Sequence, residues 1–344
     1  IKAVLRAITV ADKSGIDASL WILLQQFGIN HLLVISGLHI GLVAGAGYLL
    51  GRVAARLCLT AGLACYWLPG AMALALACGY AALAGFSLAT QRALCMLACF
   101  IIAGLAGRGT SSVNNLLLAA VVVLLINPLA PLGSGFWLSF GAVGALLWLA
   151  CWQRGMRRFR RLLYTHGFMS LAMLPMSAWW FGGGSLVSAL ANVMMIPLVG
   201  FVVVPLALLA AACFALGLTL DSDLWRLAAW PLQQILPAAR QLADLGNQWF
   251  YRPLSPGPWG ALLALLAAML LVMPAGIHAR LLALLLALPL ALPRELAEER
   301  SAALTRVIVL DVGQGTAVVV RSGRRVLVYD TGGGDPAGSN MTTS

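Results

Sequence analysis

The chain has 344 residues, of which 61% are hydrophobic and only 10% are charged, and its mean hydropathy is +0.93. A soluble domain carries about 25% charged residues and covers its surface with polar groups, so this composition excludes a soluble globular protein. The net charge of +11 has two interpretations: Lys and Arg in cytoplasmic loops of a membrane protein, or attraction of a polyanion such as DNA. Charge alone therefore does not identify a nucleic-acid-binding protein.

The chain begins at Ile1 rather than at a methionine, so we expect that the natural protein has residues before it. Seven cysteines lie in apolar runs without a C-x-x-C pair. In such surroundings Cys behaves as a small hydrophobe, so we expect free thiols and neither disulfides nor a cysteine metal site.

Apolar runs predict an all-α polytopic membrane protein with about nine or ten transmembrane helices, since one span needs about 20 mostly apolar residues. The simple candidates are residues 31–51, 57–86, 93–107, 116–130, 135–152, 162–181, 259–273 and 281–292. Residues 57–86 are counted as one span although Pro69 lies inside. Residues 186–220 contain Pro197 and Pro205, so we expect two short helices there, with a helix break at Pro197.

Basic residues give the chain a direction across the membrane. Five arginines within residues 154–161 are the strongest cytoplasmic signal. Counting back from them places Arg52, Arg56 and Arg108 on the same side and the N-terminus outside. Counting forward, with two crossings in residues 186–220, places the C-terminal tail outside.

Two polar segments do not resemble simple spans. Residues 1–30 mix apolar and charged residues, as an amphipathic segment at the membrane interface does. Residues 221–258 combine charges with Trp and Tyr. These residues suit an interfacial helix anchored by aromatic side chains, or alternatively a platform on which DNA bases stack.

The composition changes at Pro293. Residues 294–304 are charged and read as a linker, and residues 306–312, 316–320 and 326–329 are predicted strands, rich in Val and Ile. Residues 305–344 therefore open a soluble β-rich domain, and about 40 residues are too few for a core that folds alone.

Glycines and polar residues share the first predicted span. Gly37, Gly41 and Gly45 recur every four residues, which predicts a helix face for close packing against another helix. Ser36 and His39 lie on another face, and polar groups inside a bilayer need a partner or water. Two interpretations stay open: they line an aqueous path, or His39 makes one buried hydrogen bond and nothing else.

Other polar residues also allow a functional and a structural interpretation. His31 either lines the same path or is an interfacial histidine at the helix start. Arg92 either meets a phosphate or extends its charged group to the interface, and Asn192 either lines the path or stabilises the helix break. His31 and His39 are eight residues apart without a third ligand at suitable spacing, so no metal site is predicted. No catalytic residue is predicted.

Four segments carry a resemblance to a known family. The string GINHLLVISGLHIGLVAG resembles the most distinctive motif of the ComEC competence family. The segments YAALAGFS with QRA, NPL with GFWLSF, and SL…AN…IPLV are similar to further family motifs, and they follow in the same order. The similarity is most specific for residues 31–220 and weaker for 221–293. It implies a channel domain over residues 1–293 that passes single-stranded DNA into the bacterial cytoplasm during natural transformation.

The tail carries a second resemblance. LDVGQG and YDTG at residues 310–315 and 329–332 resemble the start of the metallo-β-lactamase-like domain that follows the channel in this family. Its metal ligands belong to an H-x-H-x-D-H motif further on, and all four histidines of this chain precede the tail. We therefore expect no metal or other cofactor in this chain. Thr316 stands where the family often has an acidic residue, and the family's N-terminal OB-like domain is not found.

The resemblance also implies a location and partners. The expected location is the bacterial inner membrane, with the C-terminal domain in the periplasm. No G-x-x-x-x-G-K-[ST] loop is present, so energy must come from a partner. The expected partners are single-stranded DNA, the lipid bilayer, a DNA-delivery protein outside and an ATP-driven translocase inside. The oligomeric state is left open.

Three alternatives compete with a channel. The helices could merely anchor a periplasmic metallo-β-lactamase-like hydrolase, although Ser36, His39 and Asn192 argue against a pure anchor. The chain could also be a non-functional remnant. A small-solute transporter is disfavoured because no Asp or Glu lies between Asp17 and Asp221, where a coupling carboxylate would be expected.

Overall fold

The structure, a computed structural model, describes residues 1–107, 111–153, 155–254, 256–273, 276–291, 305–310, 317–322 and 325–331. The chain divides into two compact units, Ile1–Ala291 and Leu292–Ser344. The described part of the first unit is almost wholly helical, and that of the second consists of strands. The predicted all-α polytopic fold is therefore confirmed.

The first unit starts with two short helices, α1 (Lys2–Val10) and α2 (Ala18–Gln26), and a 3-10 turn (Asn30–Leu33). The helices that follow are α3 (Gly37–Thr60), α4 (Leu68–Leu83), α5 (Leu88–Leu105), α6 (Ser112–Ile126), α7 (Ser134–Trp152) and α8 (Arg158–Phe181). Strand β1 (Gly183–Ser185) comes next, then α9 (Ser188–Leu198), a π-helical turn (Val199–Val203), α10 (Val204–Ala215) and α11 (Asp221–Phe250). Strand β2 (Tyr251–Pro253) pairs antiparallel with β1 before α12 (Pro258–Val272) and α13 (Ile277–Ala291).

Several helices suit a membrane by length and composition. Among the described residues, α3, α5, α7 and the stretch Ser188–Ala215 are long and apolar enough to cross one, and α4, α6, α12 and α13 are apolar but shorter. Large apolar side chains on these helices point outward, among them Leu125, Leu190 and Phe214, which are 78%, 72% and 73% exposed. Lipid tails accommodate such a surface, whereas water does not. The chain is a membrane protein.

The first predicted span differs from the structure at both ends. Residues 30–33 form the 3-10 turn, Ser36 is the N-cap, and α3 runs on to Thr60. Arg52 and Arg56 therefore lie within α3 and not in a loop. Residues 57–86 are not one span, because α4 begins at Leu68 with Pro69 in its first turn. A proline fits there because the first N–H groups of a helix have no intrahelical partner.

The predicted helix break at Pro197 is wrong. Helices α9 and α10 are joined without interruption by the π-helical turn, in which the Val204 N–H donates to the Val199 carbonyl. Pro197 and Pro205 each lack a donor and crowd a carbonyl of the preceding turn, and the wider π-helical turn between them lets the helix continue. The prediction that the C-terminal tail lies outside the cell membrane depended on two membrane crossings within residues 186–220. With one continuous helix in this region, that prediction no longer follows.

The N-terminal segment packs into the protein. The apolar faces of α1 and α2 lie in a core with the π-helical turn, α10 and α11, whose buried members include Leu5, Ile8, Leu24, Val203 and Leu232. Burial of these faces explains why a segment with several charges is helical and ordered next to α10.

Close packing of α3 against α4 depends on Gly47 and Gly51. A Cβ atom would lie 2.5 Å from the Met72 carbonyl oxygen at the first position and 2.6 Å from the Pro69 Cα at the second. No side chain fits there, so these glycines set the distance between the two helix backbones.

The packing predicted for Gly37, Gly41 and Gly45 is not found at two of the three positions. A Cβ at Gly41 or Gly45 would meet no atom within 4 Å, and at Gly37 it would be 3.8 Å from the Ala93 Cβ. Gly41 and Gly45 instead border an open groove of about 520 Å³ between α3, α4, α5 and α6. The difference arises from the rotation of α3 about its own axis, which directs the face of Gly47 and Gly51 toward α4.

The described part of the second unit is an antiparallel sheet in the order β3 (Thr305–Leu310), β4 (Ala317–Ser322) and β5 (Arg325–Thr331). The three predicted strands are confirmed over their described residues, and residues 311, 312 and 316 of the predicted ranges lie outside these. Of the motif LDVGQG, residues 311–315 lie outside the described residues.

Candidate functional site

The start of α3 is built by Ser36 and His39. The Ser36 N–H donates to Nδ1 of His39 over 3.3 Å, and the pair has the arrangement of a capping box. Histidine takes the third helical position, where Glu or Gln is usual. The predicted polar face of a continuous helix is thus a cap at the helix start, a pattern that S-x-x-H already contains.

The other ring nitrogen of His39 is without a hydrogen-bond partner in the described part of the chain. Because Nδ1 accepts a hydrogen bond, the neutral ring carries its proton on Nε2. The side chain is 0% exposed, and Nε2 has no hydrogen-bond partner among the described residues. A buried donor left unpaired costs about 1–3 kcal/mol. His39 does not face an open path in this structure, so lining a passage stays a prediction that requires an opening movement.

Arg92 on α5 contacts α7. Its Nε donates to Oγ of Ser139 over 3.2 Å, and the side chain is half-buried. A Cβ at Gly135 would lie 2.7 Å from Nη2 of Arg92, so the glycine makes room for the guanidinium group. This contact joins two family-like segments that are far apart in the sequence.

The turn before α5 is fixed by buried hydrogen bonds. Gly85 and Phe86 have left-handed backbone conformations, with φ of 63° and 48°. The Thr90 hydroxyl, fully buried, donates to the Ser87 carbonyl over 2.7 Å. The Tyr80 hydroxyl donates to the Ile8 carbonyl over 2.9 Å and ties the end of α4 to α1. The YAALAGFS segment therefore positions the start of α5.

The starts of three helices and the π-helical turn lie together. Gly37 faces Ala93 of α5, and a Cβ at Gly200 would be 3.1 Å from Leu38 Cδ2 of α3. The Arg92–Ser139 hydrogen bond adds α7. Helix N-termini carry positive partial charge and favour anions. We call the set formed by Ser36, His39, Arg92, Ser139 and Gly200 the helix-start cluster.

His31 lies close enough to His39 for the two side chains to interact electrostatically, whereas no such interaction is found for Asn192 among the described residues. The His31 side chain is exposed at the 3-10 turn. Asn192 on α9 is half-buried, and its Oδ1 has no partner in the part of the chain that the structure describes. No hydrogen bond given for the described residues connects either side chain to the cluster. Sequence reasoning did not single out Ser139 or Gly200, although the first lies in a family-like segment.

Two carboxylates stand outside the membrane helices. A hydrogen bond from Ser14 holds the pKa of Asp12 below its usual value, with a smaller contribution from Arg6. A hydrogen bond from Ser19 lowers the pKa of Asp17, which also accepts from the Leu20 N–H over 3.2 Å as the N-cap of α2. Among the described residues, no three His, Cys, Asp or Glu side chains are grouped as metal ligands.

Comparison with known proteins gives consistent matches. The sequence profile described as Competence protein matches residues 8–277. The chain is 36% identical to Competence protein ComA of Neisseria gonorrhoeae, over 95% of this chain and 46% of that protein. It is 34% identical to Recombination protein 2 of Haemophilus influenzae, over 61% of the chain and 28% of that protein. It is 28% identical to the uncharacterized protein YcaI of Escherichia coli, over 98% and 45%.

The chain spans less than half the length of each of these relatives. No solved structure matches it.

Proposed function

The chain belongs to the competence protein family, and from this we propose that its helical unit is an inner-membrane passage for single-stranded DNA during natural transformation. The names of the relatives, competence protein and recombination protein, support a role in DNA uptake. The passage itself is supported by the chemistry of the helix-start cluster.

The supporting observation is a group of hydrogen-bond donors in a region without acids. A DNA strand must cross about 30 Å of hydrocarbon, which requires polar contacts that are repeated and weak. The Nε2–H of His39 and the guanidinium of Arg92 are donors, and three helix N-termini add positive potential. Residues 18–220 contain no Asp or Glu, so no carboxylate in this region would repel a phosphate.

An opening movement is part of this proposal. His39 is fully buried, so a strand reaches its Nε2 only when the start of α3 separates from a neighbour. The π-helical turn is a suitable place for such a movement, because Gly200 touches Leu38 and π-helical turns often occur at functional sites.

The chain would supply the passage and not the motor. Contacts to the phosphate backbone carry no base information, so transport is expected to be independent of sequence. A translocase on the cytoplasmic side and a DNA-delivery protein outside would complete the system. Because the second unit resembles the start of a metallo-β-lactamase-like domain, the whole protein would carry that domain next to the passage.

The test is uptake of labelled DNA by a competent host. Deleting the gene should leave labelled DNA bound at the cell surface while nuclease-resistant DNA inside the cell disappears. If deletion leaves internal DNA and transformation frequency unchanged, the proposal fails. If import persists and only processing of the incoming DNA changes, the membrane anchor of a hydrolase becomes the better account.

A further inference from the structure

We propose that Arg92, held in position by Ser139 and Gly135, binds a phosphodiester group of the passing DNA strand. This inference rests on the proposed function and identifies one contact within it. The helix-start cluster then contains a defined phosphate site and not only general positive potential.

The guanidinium group is fixed at Nε, and among the described residues no hydrogen bond is found for Nη1 or Nη2. Nε donates to Ser139 over 3.2 Å, and this is the only hydrogen bond of the Arg92 side chain within the described ranges. Nη1 and Nη2 approach the position where a side chain at Gly135 would be, at 3.4 and 2.7 Å from its Cβ. Arginine with two free N–H groups in one plane matches the oxygens of a phosphate.

The charge of Arg92 has no counter-ion in the described structure. The ion pairs found there join Arg6 with Asp12 and Arg226 with Asp223. No carboxylate occurs in residues 18–220, so the helices around Arg92 cannot supply one from that region. A half-buried cation among apolar helices is stabilised by an anion that comes from outside the chain.

A lipid headgroup offers the same phosphodiester chemistry. An arginine that serves only the interface extends its charged group along the helix surface toward water. Arg92 instead directs Nε to the neighbouring helix α7, at the junction of helix starts. The geometry therefore favours a strand that passes between helices over a lipid at the protein surface.

The experiment measures how salt weakens DNA binding. The complete protein is placed in nanodiscs of zwitterionic lipid, and its affinity for a fluorescent single-stranded oligonucleotide is measured at several salt concentrations. Each phosphate contact adds about 0.7 to the slope of log K against log salt for single strands. Arg92→Gln should lower the slope by about that amount, whereas Arg92→Lys should keep the slope and bind more weakly. Arg52→Gln, an exposed arginine on α3, is the matched control and should leave the slope unchanged.

Each outcome separates the inference from the proposed function. If the unaltered protein does not bind the oligonucleotide, the proposed function fails. If it binds and Arg92→Gln keeps the full slope, or Arg52→Gln lowers it equally, the phosphate site is refuted and the function stands. If anionic lipid in the nanodiscs abolishes the effect of Arg92→Gln while binding persists, Arg92 holds a lipid headgroup and the inference is overturned. Ser139→Ala leaves the charge in place and should weaken binding without changing the slope.

Discussion

Replacing His39 by leucine tests whether an unpaired buried donor is kept for function. The substitution removes the acceptor for the Ser36 N–H, a cap interaction worth about 1 kcal/mol. It also removes the buried Nε2–H that has no partner, whose burial costs about 1–3 kcal/mol. Leucine fills a similar volume with apolar atoms. The gain equals or exceeds the loss, so the free energy of unfolding is expected to stay level or rise by up to about 2 kcal/mol.

DNA import should change in the opposite direction. If the Nε2–H of His39 contacts the strand when the passage opens, His39→Leu lowers nuclease-resistant internal DNA while protein level and stability are normal or higher. Thr90→Val is the matched control, because Thr90 is equally buried but its hydroxyl has a partner at 2.7 Å. This control should lose about 1 kcal/mol of stability.

Two results would refute the reasoning. A loss of more than about 2 kcal/mol in His39→Leu, measured by thermal unfolding of the purified protein, would mean that Nε2 has a partner after all. Normal import by a stable His39→Leu protein would mean that His39 serves only as a helix cap.

Three further predictions concern stability. Gly47→Ala should destabilise the protein by several kcal/mol, because its Cβ would lie 2.5 Å from a carbonyl oxygen of α4. Gly41→Ala, in open space, should be neutral or stabilise the protein by about 0.5–1 kcal/mol. Thermal unfolding of both variants checks this, and equal effects would contradict the helix contact. Tyr80→Phe should cost about 1–3 kcal/mol, since a buried α1 carbonyl loses its donor, and an unchanged melting temperature would rule out that bond. The pKa of Asp17 is lowered in the folded protein. Its contribution to the free energy of unfolding is therefore complete above the ordinary pKa of about 4, and it disappears as the pH falls through the pKa of the folded state. Asp17→Asn keeps a capping oxygen without the titration, so between about pH 5 and pH 2 the unaltered protein should lose more stability than this variant, and parallel losses would contradict the assignment.

Hydropathy predicts most helices of this chain but not how they begin. The run at residues 31–51 is apolar on average, and a hydropathy average does not register that Ser36 and His39 form a cap. The physical signal was present in the spacing of these two residues. It was obscured because histidine is not the usual partner in a capping box.

Repeated spacing is ambiguous where helices pack. Gly37, Gly41 and Gly45 follow one another at intervals of four residues, and Gly47 and Gly51 are also four residues apart. The sequence alone does not tell which face turns to a neighbour, and the structure shows that it is the face of Gly47 and Gly51. This choice depends on the position of α4, which is a tertiary property.

Two further features come from tertiary structure. Two prolines in one apolar stretch predict a helix break, yet the π-helical turn between them allows the helix to continue. The contact between Arg92 and Ser139 joins different helices, so neither residue's neighbours in the sequence predict it. The resemblance identified the segments, and the fold shows which side chains within them meet.

The central claim is that single-stranded DNA passes through the helical unit, and site-specific photocrosslinking tests it most directly. A photoreactive side chain replaces Leu38, which touches the π-helical turn, or Leu125, which is 78% exposed on α6. A labelled strand blocked at one end is then arrested during import. The account predicts crosslinks to DNA from position 38 and none from position 125. Crosslinks from neither position while a strand is held, or equal crosslinks from both, would contradict it.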